Sequence, residues 1–284
     1  MKAPEHQLLS PRLQRRAYAS IYEGARVLAV GVFFLPLLFV QMYLVPALVS
    51  LARQANAYSI EKAPPTLLMF NPNAQASYLT FLSTLPLLWQ IAYPAVLVIG
   101  MIFLNALLVG GAAQIDKGFR QLRRLGMPGT GLSGVASKIL LTGDVSMALL
   151  AISFFTLIVP NNLQESPISI TVLNVMDLAL ALVAIGLLLT GAALWSCGSA
   201  CGHGKVKEGG MAIVVSMAIF LLSWLVSAAL SYLPAPTASR PELAALLYLS
   251  SMLPVNSIVS FALAFAGATK VSDQARELMR GTAE

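Results

Sequence analysis

The sequence predicts an all-α, polytopic membrane protein, a bundle of about six transmembrane helices with both termini on the cytoplasmic side. Three observations predict it. Of 284 residues, 57% are hydrophobic and 11% are charged, where an ordinary soluble domain has roughly 25% charged residues. Such a chain cannot cover its own surface in water. The apolar residues are gathered into runs of about 20 or more, the length that crosses a hydrocarbon core of about 30 Å at about 1.5 Å per residue. Finally, backbone groups in lipid must bond within a helix or a closed barrel, and the alternation of barrel strands is absent from these runs.

The spans fall at 27–51, 80–113, 138–160, 170–196, 211–233 and 244–268. Residues 1–26 read as a cytoplasmic amphipathic segment, 27–268 as the transmembrane domain and 269–284 as a cytoplasmic tail. The connections are short, so no soluble domain is expected. Ala55-Asn56-Ala57 after the first span resembles a signal-peptidase site. The apolar run Val27 to Leu51 nevertheless exceeds a signal sequence's usual stretch of about 7–15 residues, so it reads as a retained helix. Before it, Arg12, Arg15 and Arg16 alternate with Leu13, Tyr18, Ile21 and Tyr22, the pattern of a helix lying at the membrane interface.

The second span is long and holds Pro86 and Pro94, each of which removes a helical donor. It divides into an extracytoplasmic interfacial or re-entrant piece, Ser77 to Tyr93, and a true crossing, Pro94 to Ala113. With the apolar loop Thr66 to Phe70, residues 52–93 are the one sizeable extracytoplasmic region, suited to contact lipid or a partner.

Orientation follows from the basic residues, which accumulate in cytoplasmic loops. Fifteen of the 18 Lys and Arg lie in the N-terminal tail, the second and fourth loops and the C-terminal tail, leaving Arg53, Lys62 and Arg240 on the other side. The net charge of +6 is the sum of this asymmetry. It suits anionic lipid, where each Lys or Arg near the surface contributes about 1 kcal/mol, and no nucleic-acid contact is expected.

Candidate chemistry lies in polar residues within the spans. Asp144 sits about two turns into the third span and Asp177 deeper in the fourth, with Asn174 one turn away on the same face. No Lys or Arg lies well inside a span to pair with either acid. An unpaired carboxylate in the membrane is by default a candidate proton or cation site, and Asn256 joins it as a further polar group; interhelical hydrogen bonding is the competing role. DVSMALLAI at Asp144 and DLALALVAI at Asp177 share five of nine positions, a short likeness of the kind an inverted repeat would show. Ser223, Ser227 and Ser231 in the fifth span, and Ser260, Ala264 and Ala268 in the sixth, are stripes of small residues that let helices approach closely, within the bundle or between subunits.

Other motifs lack the context they need. Gly129 to Gly134 fits G-x-G-x-x-G, but no strand precedes it and no acidic residue follows at the required distance. H-E-x-x-H, G-x-S-x-G and the Walker lysine do not occur, so the reading is not an enzyme and no cofactor is expected. Cys197, Cys201 and His203 offer three soft ligands where structural zinc takes four. A fourth would have to come from Asp116, Glu208 or another subunit, and WSCGSACGHGKVKEGG reads as a reduced structural turn without metal.

Around this turn, the fourth span's Gly186 and Gly191, the Gly- and Lys-rich stretch Gly198 to Lys207 and the pair Gly209-Gly210 stand in order. This arrangement, Asp177 to Leu233, resembles multispanning inner-membrane subunits of conjugation and type IV secretion systems. The resemblance implies an assembly subunit in a bacterial inner membrane, with membrane lipid and other membrane subunits, or further copies of the chain, as partners. The alternatives are a small proton- or cation-coupled transporter or channel centred on Asp177, and a membrane-embedded lipid or glycan enzyme using its carboxylates.

Overall fold

The computed structural model describes residues 6–39, 85–126, 131–153, 167–231 and 253–281, with side-chain surroundings for 11–37, 85–86, 88–126, 131–149, 152–153, 178–226 and 256–281. The described residues are helical, with no strand. They form α1 (His6–Phe39), α2 (Leu87–Arg124), α3 (Leu132–Ser153), α4 (Pro167–Cys201), α5 (Gly204–Ser231) and α6 (Leu253–Gly281). The described parts of α1 to α5 are each long and apolar enough to cross a membrane. α6 carries Lys270, Asp273, Arg276, Glu277 and Arg280 in its second half, and the expected sixth span, 244–268, begins outside the described residues. Residues 52–84 of the expected extracytoplasmic region 52–93, with Thr66 to Phe70, also lie outside them.

Each helix packs against its neighbours in sequence, and α6 closes onto α1, giving an up-and-down ring of six; α2 and α4 also touch across it. Leu28, Leu108, Phe119, Leu140, Leu187 and Phe220, from five of the helices, belong to one buried cluster. The N-terminal ends of α1, α3 and α5 and the C-terminal ends of α2, α4 and α6 gather at one end, the basic end.

Glycine sets how closely these helices approach. A Cβ on Gly24 of α1 would lie 2.5 Å from the carbonyl oxygen of Gly111 in α2, and one on Gly111 would lie 2.8 Å from that of Gly24. Gly31 and Gly118, seven residues along each helix, meet Leu108 and the Ala17 carbonyl. Spacing of seven keeps small residues on one seam of a left-handed pair. In α4, Gly191 and Gly198 repeat the spacing against Gly210 and Lys207 of α5. Gly209 and Gly210 are about 100° apart around the helix axis, so Gly209 meets Gly267 of α6 while Gly210 meets Gly191 and Trp195 of α4. One dipeptide thus serves two helix contacts.

Two expected boundaries change. Pro11 to Arg26 is continuous with the first span inside α1, because Ala17, Tyr18, Ile21 and Ala25 are buried in the core and tie this segment to α2. Likewise α2 runs unbroken from Leu87 through Pro94 to Arg124, so Leu87 to Tyr93 belongs to the long helix; residues 77–84 lie outside the described part. With 38 residues, α2 is about 57 Å long at about 1.5 Å per residue, nearly twice a hydrocarbon core of about 30 Å. Its basic third, with buried Ile115, Phe119 and Leu122 on one side and Lys117, Arg120, Arg123 and Arg124 exposed on the other, extends the bundle beyond its apolar zone.

Candidate functional site

Three polar groups of side chains sit on this frame, and the turn between α4 and α5 organises the first. α4 persists through Cys201, so both cysteines are helical and lie one turn apart rather than in the turn itself. Gly202 adopts φ +71°, and the His203 N–H donates to the Gly198 carbonyl at 2.9 Å, a Schellman closure that needs a residue free of a Cβ in the left-handed region. The His203 carbonyl then accepts from Lys207 N–H at 3.0 Å as α5 starts.

The soft ligands do not converge. The Cys197 and Cys201 sulfurs are 3.9 Å apart, whereas His203 Nε2 is 3.4 Å from the Tyr18 hydroxyl of α1. Burial pushes the His203 imidazole below its ordinary value of 6.5. Asp116, a would-be fourth ligand, accepts from Ser133 at 2.6 Å and pairs with Arg120 at 2.5 Å. Glu208 pairs with Lys270 at 2.9 Å. No group of three or more His, Cys, Asp or Glu that could hold a metal ion occurs among the described residues.

The second group is the basic end. On its α5–α6 side Lys205 pairs with Glu277 at 2.5 Å and Lys270 with Glu208 at 2.9 Å, while Lys207, Arg276 and Arg280 are exposed and in none of the ion pairs between described residues. On the α1–α2 side, Arg12, Arg15, Arg16, Lys117, Arg123 and Arg124 are exposed. None of these six is among the ion pairs between described residues. The antiparallel register that sets Ala17 against Gly118 brings the two basic sets to the same height. Among the described residues, positive charge is therefore denser on the α1–α2 flank, where only Glu23 and Asp116 offset it, than on the α5–α6 flank, where Glu208, Asp273 and Glu277 do.

The third group lies within the spans. Asp144 is half-buried in α3, and its Oδ1 has no hydrogen-bond partner among the described residues. Asn105 of α2 is 2% exposed; its amide N–H donates to the Met147 sulfur at 2.8 Å, while its oxygen has no partner. Asn256 donates to the Ser223 hydroxyl at 3.1 Å, joining a predicted site residue to a predicted packing residue across α5 and α6. Asp177 and Asn174 both lie on α4, but their side chains, like those of Ser227 and Ser231, are outside the described surroundings. Ser260, Ala264 and Ala268 are all buried, so the α6 stripe packs inside the ring and is not a free surface for another subunit.

Sequence reasoning passed over Asn105 as a site residue in its own right and over the glycine seams. The recurrence of glycine at intervals of seven in α1, α2 and α4 was the available signal for the seams. For Asn105, a single amide within an apolar run was the signal, and its partner could not be read without the register of α2 against α3.

No protein-family model, no curated protein and no solved structure matches the chain.

Proposed function

We propose that the chain is a multi-pass subunit of a larger assembly in a bacterial inner membrane, of the secretion or conjugation type, with its basic end in the cytoplasm. The observation that supports this reading most is the basic end itself. It is a packed extension of the bundle, with Tyr18, Phe119, Val206, Val271 and Ala275 buried within it, and six of its exposed cations, Arg12, Arg15, Arg16, Lys117, Arg123 and Arg124, stand on the α1–α2 flank of this frame. A rigid, one-sided charged platform suits docking of a partner, because little conformational freedom is lost when it binds. The positive-inside bias supports the orientation.

Copurification from native membranes in mild detergent tests the reading. The expected result is retention of larger partners, weakened when Arg12, Arg15 and Arg16 are all replaced by Glu. A lone chain in native mass measurement, with the same result for the charge-reversed variant, overturns it. A cysteine placed at Gly126 checks the orientation: it should react with a membrane-impermeant maleimide in inverted vesicles and stay protected in intact spheroplasts.

A second reading, a small monocation-coupled transporter, draws support from the unpartnered carboxylate oxygen of Asp144. It moves the centre of interest from α4 to the α2–α3 wall.

A further inference from the structure

Among the described residues nothing donates to two acceptor oxygens, Asn105 Oδ1 on α2 and Asp144 Oδ1 on α3. The two helices are antiparallel and tied at two levels, Ser133 to Asp116 near the basic end and Asn105 to Met147 deeper in. Met147 follows Asp144 by three residues, so the two share a face of α3 about one turn apart. The contact between Asn105 and Met147 therefore brings the amide to within about one helical turn of the carboxylate. It also takes up the amide's donor and leaves its acceptor for another group.

Two acceptors cannot satisfy each other, and a buried acceptor without a donor or cation is costly. The ionisable groups of the packed elements do not fill this role. On α2, Asp116 is held by Ser133 and Arg120; Lys117, Arg123 and Arg124 are exposed toward the basic end, and Tyr93 is near the opposite end. α3 has Lys138, exposed and six residues nearer the basic end. α4 contributes Cys197 and Cys201 at its basic end, and Asp177, whose side chain is outside the described surroundings. What the wall lacks is one positive charge; a divalent ion would leave an excess charge among apolar neighbours such as Leu104, Leu108 and Leu140.

We propose that Asp144 and Asn105 form a monocation site in the α2–α3 wall, taking a proton or an alkali ion on the Asp144 carboxylate and the Asn105 amide oxygen. Both ligands present the same chemistry, a single hard positive charge shared between two oxygens. The site is independent of the assembly reading, because a chain with or without partners can hold it.

The test treats the purified full-length protein in detergent with dicyclohexylcarbodiimide. The reagent adds the O–H of a protonated carboxyl across one of its C=N bonds, and rearrangement leaves a stable acylurea that peptide mass spectrometry locates. Labelling is measured across pH in sodium chloride or in choline chloride of equal ionic strength. The expected result is an adduct on Asp144 that diminishes as pH rises. Protection by sodium at fixed pH assigns the alkali ion, and equal yields in the two salts assign the proton. Asn105→Leu should lower the yield at fixed pH, or the sodium protection, at least about two-fold. Asp144→Asn, checked for a monodisperse elution profile, should remove the adduct and any sodium-dependent thermal shift. Absence of an Asp144 adduct at every pH together with no sodium-dependent thermal shift in the parent protein overturns the proposal. So does labelling of Asn105→Leu indistinguishable from the parent.

Discussion

Gly110 and Gly111 are adjacent in α2, yet replacing each with alanine should change stability in opposite directions. A Cβ on Gly110 would meet nothing within 4 Å. There the substitution chiefly reduces the freedom of the unfolded chain and favours the helix, a gain of about 0.5–1 kcal/mol. A Cβ on Gly111 would lie 2.8 Å from the Gly24 carbonyl oxygen, 2.9 Å from the Leu28 nitrogen and 3.0 Å from the Leu28 Cβ. Two of these atoms are backbone and cannot rotate away, so α1 and α2 must separate by roughly half an ångström or more to restore ordinary contact. A gap of about 0.5–1 Å forfeits a quarter to a half of each dispersion well along the seam, and overpacking of this kind costs about 1–3 kcal/mol. The helix gain is common to both variants and cancels, so Gly111→Ala should be less stable than Gly110→Ala by about 1–3 kcal/mol, roughly a 5- to 150-fold difference in the folding equilibrium. Unfolding of both variants in detergent, followed by the loss of helical circular dichroism, measures the difference. Equal stability, or a more stable Gly111→Ala, would refute the view that glycine contacts set the α1–α2 distance.

Three further outcomes follow from particular contacts. Asp116→Ala should cost about 1–3 kcal/mol, because it removes the buried carboxylate that accepts from the Ser133 hydroxyl and pairs with Arg120; a double-mutant cycle with Ser133→Ala should recover a positive coupling, and zero coupling would dissolve the link. The Asn256 to Ser223 bond should give a coupling near the average of about 0.6 kcal/mol for membrane hydrogen bonds, and a value several-fold larger would mark it as more than packing. His203 should make the fold acid-sensitive. Burial holds its folded-state value below the unfolded 6.5, so the unfolded chain binds the extra proton first; the contribution is present above about pH 6.5 and is lost as pH falls through the folded value. His203→Gln should flatten this part of a stability-against-pH curve, and an unchanged slope would assign the effect to other groups.

Much of this protein was legible in its sequence. Apolar runs of membrane length dictate helices because lipid offers the backbone no other partner. Gly202 marks the α4–α5 closure because a left-handed residue is cheapest without a Cβ, and the clustering of Lys and Arg anticipates one basic end. Boundaries were harder to read. Pro94 suggested a break, but a proline costs one bond in a helix of 38 residues, and packing on both flanks outweighs that loss. Arg12 to Tyr22 looked interfacial because its apolar face is the same whether it meets lipid or α2.

The sequence by itself determined that the chain would form long apolar helices with charge at one end, since these follow from local composition and from the nature of lipid as a solvent. Only the tertiary structure decided which residues act together. Periodicity places a residue on a face, but the identity of what that face meets depends on helix register and order around the ring. That is why Gly111 is a contact and Gly110 is not, and why the cysteines and His203 part company. It is also why two oxygens from separate helices, on Asn105 and Asp144, come within about one turn of each other with no donor among the described residues.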